Sequence, residues 1–220
     1  KIKAIELFSL LGNERASTGR IYIQHADHCN THSPSDPTVA PVRQSNLCLE
    51  IALPTKPVDD EDREKGEISL CTLAAFNLSA INSLDELYEL ADLLVRALDE
   101  LLDYQDYPVY EAHKNTLRRR PLGIGVTSYA HYLAKHGVNY SDDASKAITH
   151  ELFETFQHAL LTASCNLAKE KGACEAFNET TYSKGILPID TYKKDLDSIV
   201  DNVLKRDWET LRKDIVEFGL

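Results

Sequence analysis

The chain has 220 residues, 43% of them hydrophobic and 27% charged, the balance of a globular domain or a large piece of one. Its net charge of −11 argues against a nucleic-acid-binding face, because phosphate contacts need clustered Lys and Arg. No stretch approaches the roughly 20 consecutive apolar residues of a membrane span, and no leader-like segment opens the chain, so a cytoplasmic location with no membrane contact is expected.

Residues 2–15 predict a helix with Ile5, Phe8, Leu10 and Leu11 on one side, ended by Thr18-Gly19. Residues 20–26 alternate, with Ile21 and Ile23 on one face and Tyr22 on the other, and predict a strand. Residues 27–43 contain Pro34, Pro37 and Pro41 among polar residues and predict an irregular loop. Residues 54–66 are acidic and rich in breakers, as expected of an exposed excursion. Residues 68–78, with Cys71, Thr72 and Phe76, predict a strand of the kind buried on both faces of a parallel sheet.

A long helix is predicted from Ser83, with Glu86 completing a capping box and Leu84, Leu87, Ala91, Leu94, Val95, Leu98 and Leu101 as its apolar stripe. It ends near Tyr104. The basic run Arg118-Arg119-Arg120 before Pro121 predicts a solvated turn. Residues 122–126 predict a short buried strand whose Gly123 and Gly125 allow close backbone approach. A helix through Tyr129, Tyr132 and Leu133 stops at Gly137. A second long helix runs from Ser141 or Asp143 to Gly172, carrying Ile148, Leu152, Phe156, Leu160, Ala163 and Leu167. The last helix follows Asp207 with Trp208, Leu211, Ile215 and Phe218. Few strands alternating with several helices define an α/β class.

The segment Ser45-Asn46-Leu47-Cys48-Leu49-Glu50 carries the chemistry. In an extended conformation Asn46, Cys48 and Glu50 point the same way, while Leu47 and Leu49 pack behind. That set holds an orienting amide, a sulfur able to do nucleophilic or radical chemistry, and an acid/base. The other cysteines are Cys29, Cys71, Cys165 and Cys174. An odd number at irregular spacing does not fit a disulfide scaffold. The chain has no Met and is expected to begin inside a longer protein.

The Asn46–Glu50 run resembles the active-site segment of the large, catalytic subunits of class I ribonucleotide reductases of the aerobic, diphosphate-using type. The resemblance continues through Glu14-Arg15-Ala16-Ser17-Thr18-Gly19-Arg20, His28-Cys29-Asn30-Thr31-His32-Ser33-Pro34 and Leu122-Gly123-Ile124-Gly125-Val126. It extends to Phe177-Asn178-Glu179-Thr180-Thr181-Tyr182 and Gly185-Ile186-Leu187-Pro188, and so covers essentially the whole chain. It implies part of a ten-stranded α/β barrel, with residues 1–43 ending the first half, residues 44–53 forming the central finger loop and residues 54–220 starting the second half.

The implied reaction is reduction of ribonucleoside diphosphates to deoxyribonucleoside diphosphates by thiyl-radical chemistry in the full-length subunit. Hydroxide is a poor leaving group, and a radical at the neighbouring 3′ carbon makes its departure feasible. By resemblance, Cys48 is the thiyl residue, Glu50 the base at the 3′-hydroxyl and Asn46 the orienter of the ribose hydroxyls. Cys71 matches one of two cysteines that reduce the intermediate and become a disulfide; its partner in the family lies before residue 1. The tyrosines that carry the radical, and much of the phosphate-binding loop, lie beyond residue 220 in the family. No cofactor is implied for the chain itself. The implied partners are a radical-generating, metal-containing small (beta) subunit, thioredoxin or glutaredoxin as reductant, and a second copy of the full-length subunit as homodimer.

Two other readings compete. His25, His28, Cys29 and His32 crowd into one short segment and suggest a metal site, although no second ligand pair follows at finger or ribbon spacing. The preferred reading of that segment is a loop held by polar side chains bonded to its backbone. The long amphipathic helices and acidic surface would also suit a non-enzymatic helical interaction module. Cys165 and Cys174 are read as structural or incidental.

Overall fold

The computed structural model describes residues 1–199 and 203–220. Its helices are α1 (Ala4–Thr18), α2 (Ala26–His32), α3 (Glu86–Tyr104), α4 (Tyr110–Arg119), α5 (Tyr129–Lys135), α6 (Asp143–Lys171), α7 (Pro188–Thr191) and α8 (Trp208–Phe218), and its strands are β1 (Thr72–Asn77) and β2 (Leu122–Thr127). The strands pair in parallel, from Thr72 opposite Leu122 to Asn77 opposite Thr127. The result is a helix-rich α/β fold with a small open sheet.

The sheet has one covered face. Phe76 is buried, and Leu122, Ile124 and Val126 pack with it against Leu87, Ala91 and Val95 of α3 and Leu152, Phe156, Ala159 and Ala163 of α6. The Phe76 and Phe156 rings meet edge to face at 5.6 Å, a favoured aromatic geometry. Each large apolar side chain buried here contributes roughly 1.5–3 kcal/mol relative to exposure. The opposite face, with Leu73 64% exposed, is bare. Burial on both faces was expected for residues 68–78. The structure corrects this, because among the described residues no element covers the second side.

The long helices follow their apolar stripes. α6 ends at Gly172, with φ +90, and α5 is followed by Gly137, with φ +68. α8 starts where the Asp207 carboxylate accepts the Thr210 N–H at 3.0 Å. Trp208, Leu211 and Ile215 of α8 form a second core with Cys165, Phe177 and Leu187. Cys165 is a packing residue, as read. At the start of α3 the expected capping box is displaced. Ser83 Oγ accepts the Asp85 N–H at 3.2 Å, and the Glu86 carboxylate accepts the Asn82 N–H at 3.5 Å, one residue too early for the reciprocal motif.

Three expectations fail: the strand over 20–26, the irregular loop over 27–43, whose start is the helix α2, and the solvated arginine turn. Residues 20–25 form no strand, and Ala26 already begins α2. Alternation defines two faces but cannot supply the neighbouring strand that a ladder needs. α1 forms and ends at Gly19, yet none of its residues is buried, and Phe8 is 74% exposed. The arginine run is not a solvated turn. Arg118 and Arg119 close α4, and Arg120 takes the left-handed conformation after it. Arg119 reaches Glu67 at 2.8 Å and Glu179 at 2.9 Å, while Arg120 reaches Asp99 at 2.5 Å and Asp103 at 2.7 Å. These pairs tie the end of α4 to Glu67, to the 175–182 turns and to α3.

A second tie fixes the loop that leads into the Asn46–Glu50 segment. The Asp36 N–H donates to Glu179 O at 2.7 Å, and the Thr181 N–H donates to Pro34 O at 2.6 Å. The Lys184 ammonium and the Thr38 N–H and hydroxyl all donate to the Asp36 carboxylate, which holds its pKa at about 2 against an ordinary 3.8. A carboxyl depressed on folding contributes its stability above the unfolded value and loses it as pH falls through the folded one. The tie is therefore expected to be complete above pH 3.8 and to weaken as pH falls towards about 2. The carboxyl carbon of Asp36, followed by NMR, should titrate with a midpoint near 2. A midpoint at the ordinary value contradicts the contact.

Candidate functional site

The Asn46–Glu50 segment is a closed turn, not the extended strand expected. Leu47 and Cys48 occupy its tip, and the Leu49 N–H donates to Asn46 O at 3.3 Å. Leu49 has φ +66, a left-handed conformation that costs a branched side chain about 1–2 kcal/mol. The physical reason is backbone pairing. An extended segment without a neighbouring strand leaves its N–H and C=O groups bare. Here the Asn46 side chain replaces that neighbour: its Oδ1 accepts the Ile51 N–H at 3.0 Å, and the Asn46 N–H donates to Ile51 O at 3.3 Å.

The turn still brings the predicted polar pair together. Asn46 Nδ2 donates to Glu50 Oε1 at 2.5 Å. Cys48 lies at the exposed tip between them. Leu47 does not pack behind; it is 86% exposed, and only Leu49 is half-buried. Chemically, the turn offers a carboxylate oriented by an amide, with a free thiol projecting from the loop they close.

The turn is anchored from behind by Asn30. Its Oδ1 accepts the Val42 N–H, and its Nδ2 donates to both Val42 O and Ala26 O, each at 2.8 Å. Val42 itself is buried. This agrees with the reading of residues 25–32 as a polar segment that holds the loop. The His25 and His28 rings stack at 5.2 Å, Gln24 Nε2 donates to Cys29 Sγ at 3.4 Å, and His32 Nδ1 meets His28 O at 3.0 Å. Among the described residues no group of three or more His, Cys, Asp or Glu side chains could hold a metal ion.

Cys71 lies immediately before β1 and is half-buried, and burial pushes its thiol pKa up. It lines a cavity of about 640 Å³ together with Pro34, Leu53, Pro54, Arg119 and Cys174. Leu53 and Pro54 carry the chain from the Cys48 turn into that wall. Asn46, Cys48 and Glu50 are not among the lining residues. Cys174 is also raised by burial, offset in part by an Ala176 N–H and by the nearby arginines.

Several supporting residues carry no legible signal in the sequence. Glu67 and Glu179 meet Arg118 and Arg119 across more than 50 residues of chain. α4 itself went unpredicted because its buried face is polar: Glu111, Asn115 and Thr116 point inward with Ala112. Arg63 Nη2 pairs with Glu111 at 2.7 Å, and Asn115 Nδ2 donates to Ser69 Oγ at 2.9 Å, which fixes the approach to Cys71.

Comparison with known proteins identifies the class. Residues 1–220 match the family described as "Ribonucleotide reductase, barrel domain", and the chain belongs to that family. It is 70% identical over 219 residues to the ribonucleoside-diphosphate reductase subunit alpha of Haemophilus influenzae. It is 67% identical over 220 residues to the ribonucleoside-diphosphate reductase 1 subunit alpha of Escherichia coli, and 50% identical over 222 residues to the subunit alpha of Enterobacteria phage T4. Each comparison covers 100% of this chain and 29% of the relative's length.

Proposed function

We propose that this chain is the central part of a catalytic subunit that reduces ribonucleoside diphosphates to 2′-deoxyribonucleoside diphosphates in the cytoplasm. The observation that carries this reading is the Asn46–Glu50 hydrogen bond closed around Cys48, in a chain that belongs throughout to the reductase barrel family. In the proposed division of the chain, residues 1–43 end the first half of a ten-stranded barrel. Residues 44–53 are the finger loop, and residues 54–220 begin the second half with β1 and β2.

In this reading the Cys48 sulfur, as a thiyl radical, takes the hydrogen from C3′ of the ribose. Glu50 accepts the proton of the 3′-hydroxyl, and Asn46 orients the diol while holding the carboxylate. The 2′ C–O bond breaks and water leaves. Cys71 and a second thiol outside this chain supply two electrons and two protons and become a disulfide, and the hydrogen returns from Cys48 to C3′. A radical-generating partner subunit and a thioredoxin- or glutaredoxin-type reductant complete the cycle, and the full-length subunit pairs as a homodimer. The competing interaction-module reading leaves the Asn46–Glu50 pair around a free thiol without a role.

The isolated chain is expected to form no deoxynucleotide, even with partner subunit and reductant, while the complete subunit containing it does. The second redox thiol, the phosphate cradle and the radical conduit all belong, in this reading, to other parts of the subunit. The isolated chain should also self-associate, because Leu73 on the bare sheet face and Phe8 on α1 are exposed. Deoxynucleotide assay and light scattering after size exclusion test both points. Turnover by residues 1–220 alone contradicts the division of the site, and a monodisperse monomer contradicts the expected association through these exposed faces.

A further inference from the structure

Gly123 faces the Cys71 thiol. It pairs in parallel register with Leu73, and Leu73 lies two residues beyond Cys71, so Cys71, Leu73 and position 123 share one side of the sheet. A Cβ built on Gly123 would lie 2.5 Å from Cys71 Sγ and 2.5 Å from Leu73 Cδ2. Non-bonded carbons and sulfurs do not approach that closely.

The backbone does not ask for glycine at this position. The glycines with positive φ are Gly19, Gly137, Gly172, Gly185 and Gly219. Gly123 sits in a regular ladder, where glycine costs roughly 0.5–1 kcal/mol relative to Ala. Gly125, the next residue on the same side of β2, has nothing within 4 Å of a built Cβ. The missing side chain at 123 therefore makes room for a neighbour. Leu73 Cδ2 is the free end of a flexible, exposed side chain and can swing away. The Cys71 sulfur is one bond beyond its Cβ and has only three staggered positions, so the thiol is the group whose place depends on Gly123.

We propose that Gly123 is a positioning residue for the reductive half of the reaction: its bare backbone lets the Cys71 thiol lie against β2 in the rotamer from which it gives up its hydrogen and closes a disulfide. This rests on the redox reading of Cys71 given above. Disulfide closure needs the two Cβ atoms about 3.5–4.5 Å apart at a defined dihedral angle. A methyl group at 123 forces the sulfur into another rotamer and takes it out of reach.

The test uses the complete subunit with its partner subunit and a thioredoxin-type reductant. Gly123→Ala is expected to lower kcat on the order of 10²-fold, the cost of an ångström-scale misplacement, with KM for the diphosphate unchanged. The Cys71 alkylation rate should change with it. The loss of Tm caused by Gly123→Ala should vanish in a Cys71→Ala background, where the sulfur is gone. Should Gly123→Ala alone fail to fold, the double variant must recover folding; failure to recover, or an equal loss of Tm in both backgrounds, overturns the proposal. So does Gly123→Ala at full kcat with unchanged alkylation while Cys71→Ser is inactive. Full multiple turnover by Cys71→Ser removes instead the redox reading on which the proposal stands.

Discussion

Cys48→Ser in the complete subunit is expected to abolish deoxynucleotide formation while leaving the fold unchanged. Cys48 sits at the exposed tip of its turn, and the turn is closed by Asn46, Leu49, Glu50 and Ile51 rather than by the thiol. Replacing sulfur by oxygen there removes no packing and adds no bulk. Chemically the change is severe, because an oxygen radical must be generated from an O–H bond much stronger than the S–H bond it replaces. A loss of about 10⁴-fold or more requires only about 5–6 kcal/mol of added barrier, at about 1.4 kcal/mol per factor of ten. The assay measures deoxynucleotide with the radical-bearing partner present, and circular dichroism checks the fold. Retained turnover overturns the assignment of Cys48.

Cys71→Ser should act differently, stopping the reaction after initiation. Cys71 lines the cavity beside β1, and burial disfavours its thiolate. A neutral thiol is the form that can give up a hydrogen, so this environment suits a reductant better than a nucleophile. With serine in its place, hydrogen abstraction at C3′ still proceeds but the intermediate has no reductant. Multiple turnover should cease, and the substrate should decompose with release of its base. Chromatography of the nucleotide pool separates free base from deoxynucleotide. Turnover at the unmodified rate under a thioredoxin-type reductant shows that Cys71 only packs.

Much of this was legible in the residues, and the exceptions have physical causes. α3, α6 and α8 follow from apolar stripes and local caps, which depend on neighbours a few residues away. α4 escaped because its inward face is polar: Glu111 and Asn115, beside Thr116, point inward and are satisfied by Arg63 and Ser69 from distant parts of the chain. The alternation of residues 20–26 describes a surface that a strand would have, but pairing is a tertiary property and no partner adjoins it among the described residues. The Asn46–Glu50 segment is a closed turn where an extended strand is expected. Asn46 and Glu50 meet because the turn closes, not because a pleat aligns them, and the Asn46 amide that makes the closure is itself one of the set. The arginine run was misread because its carboxylate partners, Glu67, Glu179, Asp99 and Asp103, are scattered along the chain.

The central claim is that the Cys48 sulfur takes a hydrogen from the ribose of a nucleoside diphosphate. The most direct measurement compares substrate carrying deuterium at C3′ with unlabelled substrate, in the complete subunit and in its Cys48→Ser variant. The account predicts slower turnover of the deuterated substrate by the unmodified subunit, a product that keeps its label at C3′, and no product from the variant. Product formed by Cys48→Ser, or equal rates together with loss of the C3′ label, contradicts it.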